Sequence, residues 1–279
     1  MNKKQKLIYL FKSIHRSKPT VALFTVFLSV LLVVGSTYSW ITSQDERVNR
    51  AKSNDRKLSA RIDEDFQRET SWIPGKEVEK KLRVENNGET PALVRLSLYE
   101  FLLTFENDLE DQVGNGGLKW TATPSATQVK TEDYTTWAVG NTYGSGTKHL
   151  KVASAIVNDL TDPSDAIEYQ GTRTAPLDLL KIEFNGTKVF KGTLPPAGTK
   201  NYWFYQDGYF YYSDVLQPND KTVELINSVT LDKLTPNAYK GSLYHLVPIM
   251  DAHDVTKSLL SDWQVTGTKV ADMYQDKLH

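Results

Sequence analysis

The chain has 279 residues with 33 basic and 34 acidic side chains, a formal charge of −1. Six of the basic residues and none of the acidic ones precede position 40, so residues 40–279 alone carry −7, which speaks against nucleic acid or an anionic membrane surface as their partner. Cysteine is absent, which excludes disulfides and thiol chemistry and leaves stability to the core, to partners or to other crosslinks.

The basic residues Lys3, Lys4, Lys6, Lys12, Arg16 and Lys18 lead into an uncharged, mostly apolar run over residues 21–34. Gly35, Ser36, Thr37, Tyr38, Ser39 and Trp40 follow, and the first acid is Asp45. Lysines and arginines stay on the cytoplasmic side, so whatever follows the run is carried across a membrane. The run has the length of a signal-peptide core and falls short of the ~20 residues a spanning helix needs. Thr37 and Ser39 set small side chains three residues and one residue ahead of a cleavage site between Ser39 and Trp40. The alternative is an uncleaved anchor over residues 1–39, because the uncharged stretch continues to Gln44. Either arrangement places residues 40–279 outside the cytoplasm. Absence of cysteine fits export from a bacterium that makes little use of disulfides.

Residues 40–57 are polar and charged and cannot build a core of their own. Period-two alternation begins at Leu58 and continues to Phe66, and Val78, Leu82 and Val84 share a face that only Lys80 interrupts. Asn86-Asn87-Gly88 tolerates positive φ, so residues 78–84 and the apolar run 92–105 form an antiparallel hairpin on this reading. Residues 107–177 are rich in Gly, Asn, Asp, Ser and Thr and form a loop-rich insertion with short strands. Asn185-Gly186 and Asp207-Gly208 each join two β-prone runs as two-residue hairpins, the second between the aromatic runs 202–205 and 209–212. Asn185-Gly186-Thr187 also matches the glycosylation sequon. Residues 225–231 and 242–250 are further strands. Residues 254–263, with Val255, Leu259, Leu260 and Trp263 on one face, form a short amphipathic helix. So many strands with turns between them imply an all-β chain, a β-sandwich of which a jelly roll is one form, with residues 58–279 as its domain. Its core includes Leu82, Val84, Val94, Leu96, Leu98, Phe210 and Tyr212.

Chemistry is sparse. No His-Glu-x-x-His, Gly-x-Ser-x-Gly or phosphate-binding glycine loop occurs, and no sequence pattern pairs two carboxylates for glycoside hydrolysis. His245 and His253, beside Asp251 and Asp254, are surface histidines near helix-capping aspartates, or more remotely metal ligands. The aspartates between 159 and 165 lack the central glycine of a calcium loop. The aromatic block 202–212 packs a core or, less economically, offers a carbohydrate platform. The sequence indicates no enzyme, cofactor or metal.

Three stretches carry a resemblance. Thr37-Tyr38-Ser39-Trp40-Ile41-Thr42-Ser43-Gln44-Asp45-Glu46 resembles the junction cut by a dedicated, SipW-type signal peptidase. Trp72-Ile73-Pro74-Gly75 through Val84-Glu85-Asn86-Asn87-Gly88-Glu89-Thr90-Pro91-Ala92-Leu93-Val94-Arg95 is similar to the W-x-P-G and V-x-N-x-G-x-x-P-A-x-V-R block of the same family. Gly208-Tyr209-Phe210-Tyr211-Tyr212, then Val215-Leu216-Gln217-Pro218 and residues 225–231, resembles its G-x-F-Y-Y block. Together they resemble the BsaA-type branch of the TasA/camelysin-like biofilm matrix proteins, the alternate signal-mediated exported proteins. Ser39 stands where that family more often has alanine, and Ile41 where a second aromatic is common.

The resemblance implies a jelly-roll protein secreted by a Gram-positive bacterium, which polymerises with copies of itself, and with other matrix subunits, into extracellular fibres. Its expected partners are itself and the signal peptidase. The mature N-terminus, with Trp40, Ile41, Thr42 and Val48, is the expected assembly strand, loosely docked in the monomer and added to a neighbour's sheet edge in the fibre. The C-terminus carries no Leu-Pro-x-Thr-Gly sorting signal, so sortase attachment is not expected. The competing expectation is a membrane-anchored adhesin or carbohydrate-binding sandwich.

Overall fold

The computed structural model describes residues 41–44, 48–52, 58–66, 74–110 and 116–279. The chain divides into two units, Met1–Ser39 and Trp40–His279, and the second holds every described residue. That unit is all-β with a few short helices. Its strands in chain order are β1 (Ile41–Gln44), β2 (Val48–Lys52), β3 (Arg61–Phe66), β4 (Glu77–Glu85), β5 (Ala92–Phe105), β6 (Trp120–Thr121) and β7 (Thr142–Ser145). They continue with β8 (Lys148–Ile156), β9 (Leu180–Phe184), β10 (Val189–Lys191), β11 (Trp203–Gln206), β12 (Tyr209–Tyr212), β13 (Ile226–Leu231) and β14 (Ser242–Asp254). Two helices, α1 (Leu259–Asp262) and α2 (Lys269–Tyr274), follow.

The larger sheet runs β1-β14-β5-β12-β11-β10, with β2 beside β14 and β8 beside β5; the smaller runs β3-β4-β13-β9. Alternation explains how the two sheets meet. In β4, Val78, Lys80, Leu82 and Val84 are buried while the residues between them are not. These apolar side chains share one core with Val94, Leu96 and Leu98 of β5, Phe210 and Tyr212 of β12, Ile226 and Val229 of β13, and Tyr244, Leu246 and Met250 of β14. All seven residues expected in the core are in it. Lys80, the one break in the stripe, is buried as well.

Two expected hairpins are not hairpins. β4 belongs to the small sheet and β5 to the large one, so residues 86–91 cross between layers. Asn86 explains the crossing. Its buried side chain donates to the carbonyls of Thr90 (2.8 Å) and Leu216 (2.9 Å) and accepts from the Gly88 amide, while its backbone pairs with Asp220 and Asn219. The turn is thereby tied to residues 216–220 rather than closed on itself. β5 is buried at all 14 positions, and such a strand belongs where both faces are covered. Likewise β9 pairs with β13 and β10 pairs parallel with β11, so Asn185-Gly186 also steps between sheets. Neither residue has positive φ there, so the type I′ turn is not formed. The Asp207-Gly208 turn is a true hairpin: φ is +50° and +82°, and β11 and β12 pair from Trp203↔Tyr212 to Gln206↔Tyr209.

The region 107–177 is loop-rich, as expected, but it is part of the large sheet. β8 pairs with the end of β5, and Val129, Trp137, Leu150 and Val152 cover Tyr99, Phe101, Leu103 and Phe105. At the other end of the same face, Leu259, Trp263, Val270 and Tyr274 cover Leu93, Phe204 and Tyr211. The aromatic block 202–212 is thus core on both faces. The expected helix over 254–263 is shorter, since Asp254 still pairs with Ala92 and helical bonding begins only beyond it.

On the small sheet, Asp63 accepts from Lys221 Nζ (2.8 Å) and Arg83 Nε (2.7 Å). The Lys221 hydrogen bond first, and the Arg83 guanidinium with it, hold the Asp63 carboxyl below its ordinary range. A carboxylate lowered in the folded state contributes stability that is complete above its unfolded value of about 3.9 and is lost as pH falls through the lower folded value. Urea titrations between about pH 5 and pH 2 should therefore show a shallower acid loss in Asp63→Asn than in the parent. Equal slopes would remove Asp63 from the acid limb.

Candidate assembly interface

The most exposed question in this fold is what covers the long edge of β14. Its 13 residues are buried at every position but the last. One edge pairs antiparallel with β5 from Leu243↔Leu103 to Asp254↔Ala92. Without a strand on the other edge, β14 would present a row of free N–H and C=O groups along an apolar strand, a template for another chain.

That edge is occupied by the N-terminal segment, in parallel. Ile41, Thr42, Ser43 and Gln44 stand opposite Ser242, Leu243, Tyr244 and His245. Val48, Asn49, Arg50, Ala51 and Lys52 stand opposite Ile249, Met250, Asp251, Ala252 and His253. Both pieces keep the same register along β14. Leu98 O accepts from Ile167 N (2.7 Å), so Leu98 turns its backbone away from β14 and forms a non-hydrogen-bonded pair with Pro248. The proline nitrogen then faces the β1–β2 edge, where its missing N–H takes nothing from the β5 ladder. By the same alternation Tyr244, Leu246, Met250 and Ala252 turn their backbone groups to the N-terminal segment.

Polar groups fix β14 from both faces. Between the sheets, Tyr244 Oη donates to Glu100 Oε1 (2.6 Å), and Arg173 pairs with the same carboxylate. Burial pushes the Glu100 carboxyl above its ordinary range against the pull of Arg173 and Tyr244. On the outer face, Arg95 Nη2 donates to Asp251 Oδ2 (2.8 Å), its guanidinium lying 4.0 Å from the Tyr209 ring centroid and 4.9 Å from that of Trp263. Asp251 Oδ1 is buried without a hydrogen-bond partner.

Of the residues singled out from sequence, Ile41 and Thr42 lie in β1 and Val48 in β2, all along β14. Thr37, Ser39 and Trp40 lie outside the described residues. His245 and His253 are corrected: both are buried, not surface residues. His245 Nδ1 meets Tyr134 Oη at 3.0 Å, and His253 Nε2 meets Asp262 Oδ2 at 2.8 Å, at opposite ends of β14. Among the described residues no group of His, Asp or Glu could hold a metal ion. Asp159 accepts from Thr161 and Asp162 from Ser164, local turns that occupy these carboxylates. Sequence reasoning missed the strand that this segment pairs with: nothing in residues 242–254 announces an edge, although the apolar run with Pro248 inside it was a signal. No family model matches this chain, and no curated protein or solved structure is similar to it.

Proposed function

We propose that the protein is a structural subunit, exported by a signal segment cut after Ser39, that assembles head to tail into extracellular fibres by exchanging its N-terminal strand. On this reading residues 1–39 form the signal helix and the two packed sheets are a jelly-roll-like sandwich, as in the TasA/camelysin-like matrix proteins that the sequence resembles. One observation carries the proposal: a polar segment with no core of its own pairs along the long edge of β14. A strand that docks in its own chain can dock in an identical neighbour through the same hydrogen bonds, and a heterologous contact of this kind does not close. Anchorage of residues 1–39 in the membrane would hold the segment in place until cleavage frees it. SipW-type peptidase is the partner in export, and other matrix subunits with compatible strands can join the polymer.

The test is a chain beginning at Leu58. It should keep a β-rich circular dichroism spectrum, since it retains the core residues of β4, β5, β12, β13 and β14, and fail to form filaments by electron microscopy. Normal filaments from it would sink strand exchange and leave surface-to-surface assembly. An intact N-terminus at Met1 on the exported protein would favour the anchored module.

A further inference from the structure

The smaller sheet ends on β9, which among the described residues pairs only with β13. Asn185 N donates to Leu225 O (3.0 Å) and Asp232 N to Leu179 O (2.7 Å). Leu180, Ile182 and Phe184 are therefore the non-hydrogen-bonded positions of that ladder, and their backbone groups face the open edge. At Leu180 those groups are occupied, the N–H by Leu177 O and the carbonyl by Arg173, which reaches it from between the sheets. At Ile182 and Phe184 they have no partner among the described residues. A groove of about 500 Å³ lies beside this edge, lined by Tyr169, Lys181, Ile182, Glu183 and Phe184 among others. Ile182 and Phe184 are half-buried against the core, while Lys181 and Glu183 are exposed. An edge of this kind is a template for a further strand.

We propose that this edge pairs with the same edge of a second copy, the two β9 strands running antiparallel about a two-fold axis through Ile182. Charge decides both the partner and the register. The strand reads Leu180-Lys181-Ile182-Glu183-Phe184, so its reversed copy sets each Lys181 opposite the other chain's Glu183 on the outer face. Ile182 then stands opposite Ile182, and Leu180 opposite Phe184, on the inner face. Glu183 has no ion pair or hydrogen bond among the described residues. Lys181 meets Asp232 at 2.5 Å, yet its side chain is still 64% exposed. The backbone agrees with this register. Each Ile182 exchanges two bonds with its counterpart, and each Phe184 N–H meets a Leu180 carbonyl, which has a second lone pair to offer. An axis at Glu183 or at Lys181 would set like charges face to face. An axis between residues would oppose groups that face the edge to groups already turned to β13. The contact does not involve the N-terminal segment, which lies along β14 in the other sheet.

Disulfide trapping in the full chain, in mild detergent, tests this. Chains carrying Lys181→Cys are mixed with chains carrying Glu183→Cys, oxidised and run on a denaturing gel. In the proposed register these two positions are opposed in a non-hydrogen-bonded pair, about 4.5 Å apart and within disulfide reach. Each position and its own copy are diagonal neighbours about 7–8 Å apart, beyond that reach. The mixture should therefore give about fivefold more linked dimer, or more still, than either variant alone. Such a dimer retains one Lys181–Glu183 pair. Adding Glu183→Lys to the first chain sets like charges there and should lower the yield about fivefold; adding Lys181→Glu to the second as well should restore it. Both positions are exposed, and near-UV circular dichroism checks that each variant is folded. Equal yields from the mixture and from the single variants would overturn the proposal, since chance contact links like with like as readily. So would a product dominated by Glu183→Cys chains linked to one another, or a yield unmoved by the charge changes. A mixed dimer obtained while the chain beginning at Leu58 still forms filaments would leave the β9 contact standing and remove strand exchange. Filaments lost on truncation, with no mixed dimer, would do the opposite.

Discussion

Leu96→Ala should lower the free energy of unfolding by about 2–5 kcal/mol, read as a shift of the urea midpoint at unchanged slope. Leu96 lies on β5, the strand that β14, β12 and β8 all pair with, and it is fully buried in the core the two sheets share. Its backbone partners are Phe210 on one side and Met250 on the other. Both neighbours are core residues of hydrogen-bonded strands, so the site cannot collapse around the missing isobutyl group, and the cavity term adds to the lost transfer energy. A midpoint unchanged from the parent would mean that Leu96 is not packed in the core the two sheets share.

Arg95→Met should cost a comparable amount, about 3–5 kcal/mol, for a different reason. The Arg95 guanidinium is buried among Tyr209, Tyr211 and Trp263 and is the charge that compensates Asp251. Methionine fills similar space but leaves a buried carboxylate without its cation. Replacing both members, Arg95→Met with Asp251→Leu, should recover much of the loss, since two apolar residues of similar volume need no compensation. Equal destabilisation in the single and double variants would show that packing on the rings, not charge, is what Arg95 supplies.

Local patterns in the sequence were legible wherever they decide the local structure. Alternation in residues 77–85 located β4 and its buried face, and Asp207-Gly208 located the one tight hairpin it was expected to make. What the sequence could not show is which sheet a strand joins. Asn86 and Asn185 both end a strand and reverse the chain, as their residue type suggests, yet each passes it to the opposite layer. Long-range bonds decide this, from Asn86 to residues 216–220 and from β9 to β13. His245 and His253 were misplaced for a related reason. They sit on the outer face of β14, which is covered by residues 129–137 at one end and by α1 and α2 at the other. The helix α2 itself had a signal in Val270, Met273 and Tyr274 at helical spacing, but six residues are too few for periodicity to stand out. The N-terminal segment was legible as a strand in need of a sheet; the edge it needs was not, because an edge is a property of the whole sheet order.

The absence of native cysteine allows the pairing along that edge to be read directly by crosslinking. Ile41 and Ser242 are register partners in neighbouring strands, about 4.8 Å apart across the ladder and within reach of a disulfide. Chains carrying only Ile41→Cys are mixed with chains carrying only Ser242→Cys, assembled, oxidised and run on a denaturing gel. Strand exchange predicts a disulfide-linked dimer joining one chain of each kind in the filament fraction and none in the monomer fraction. Filaments that form from the same mixture with no such dimer would contradict it.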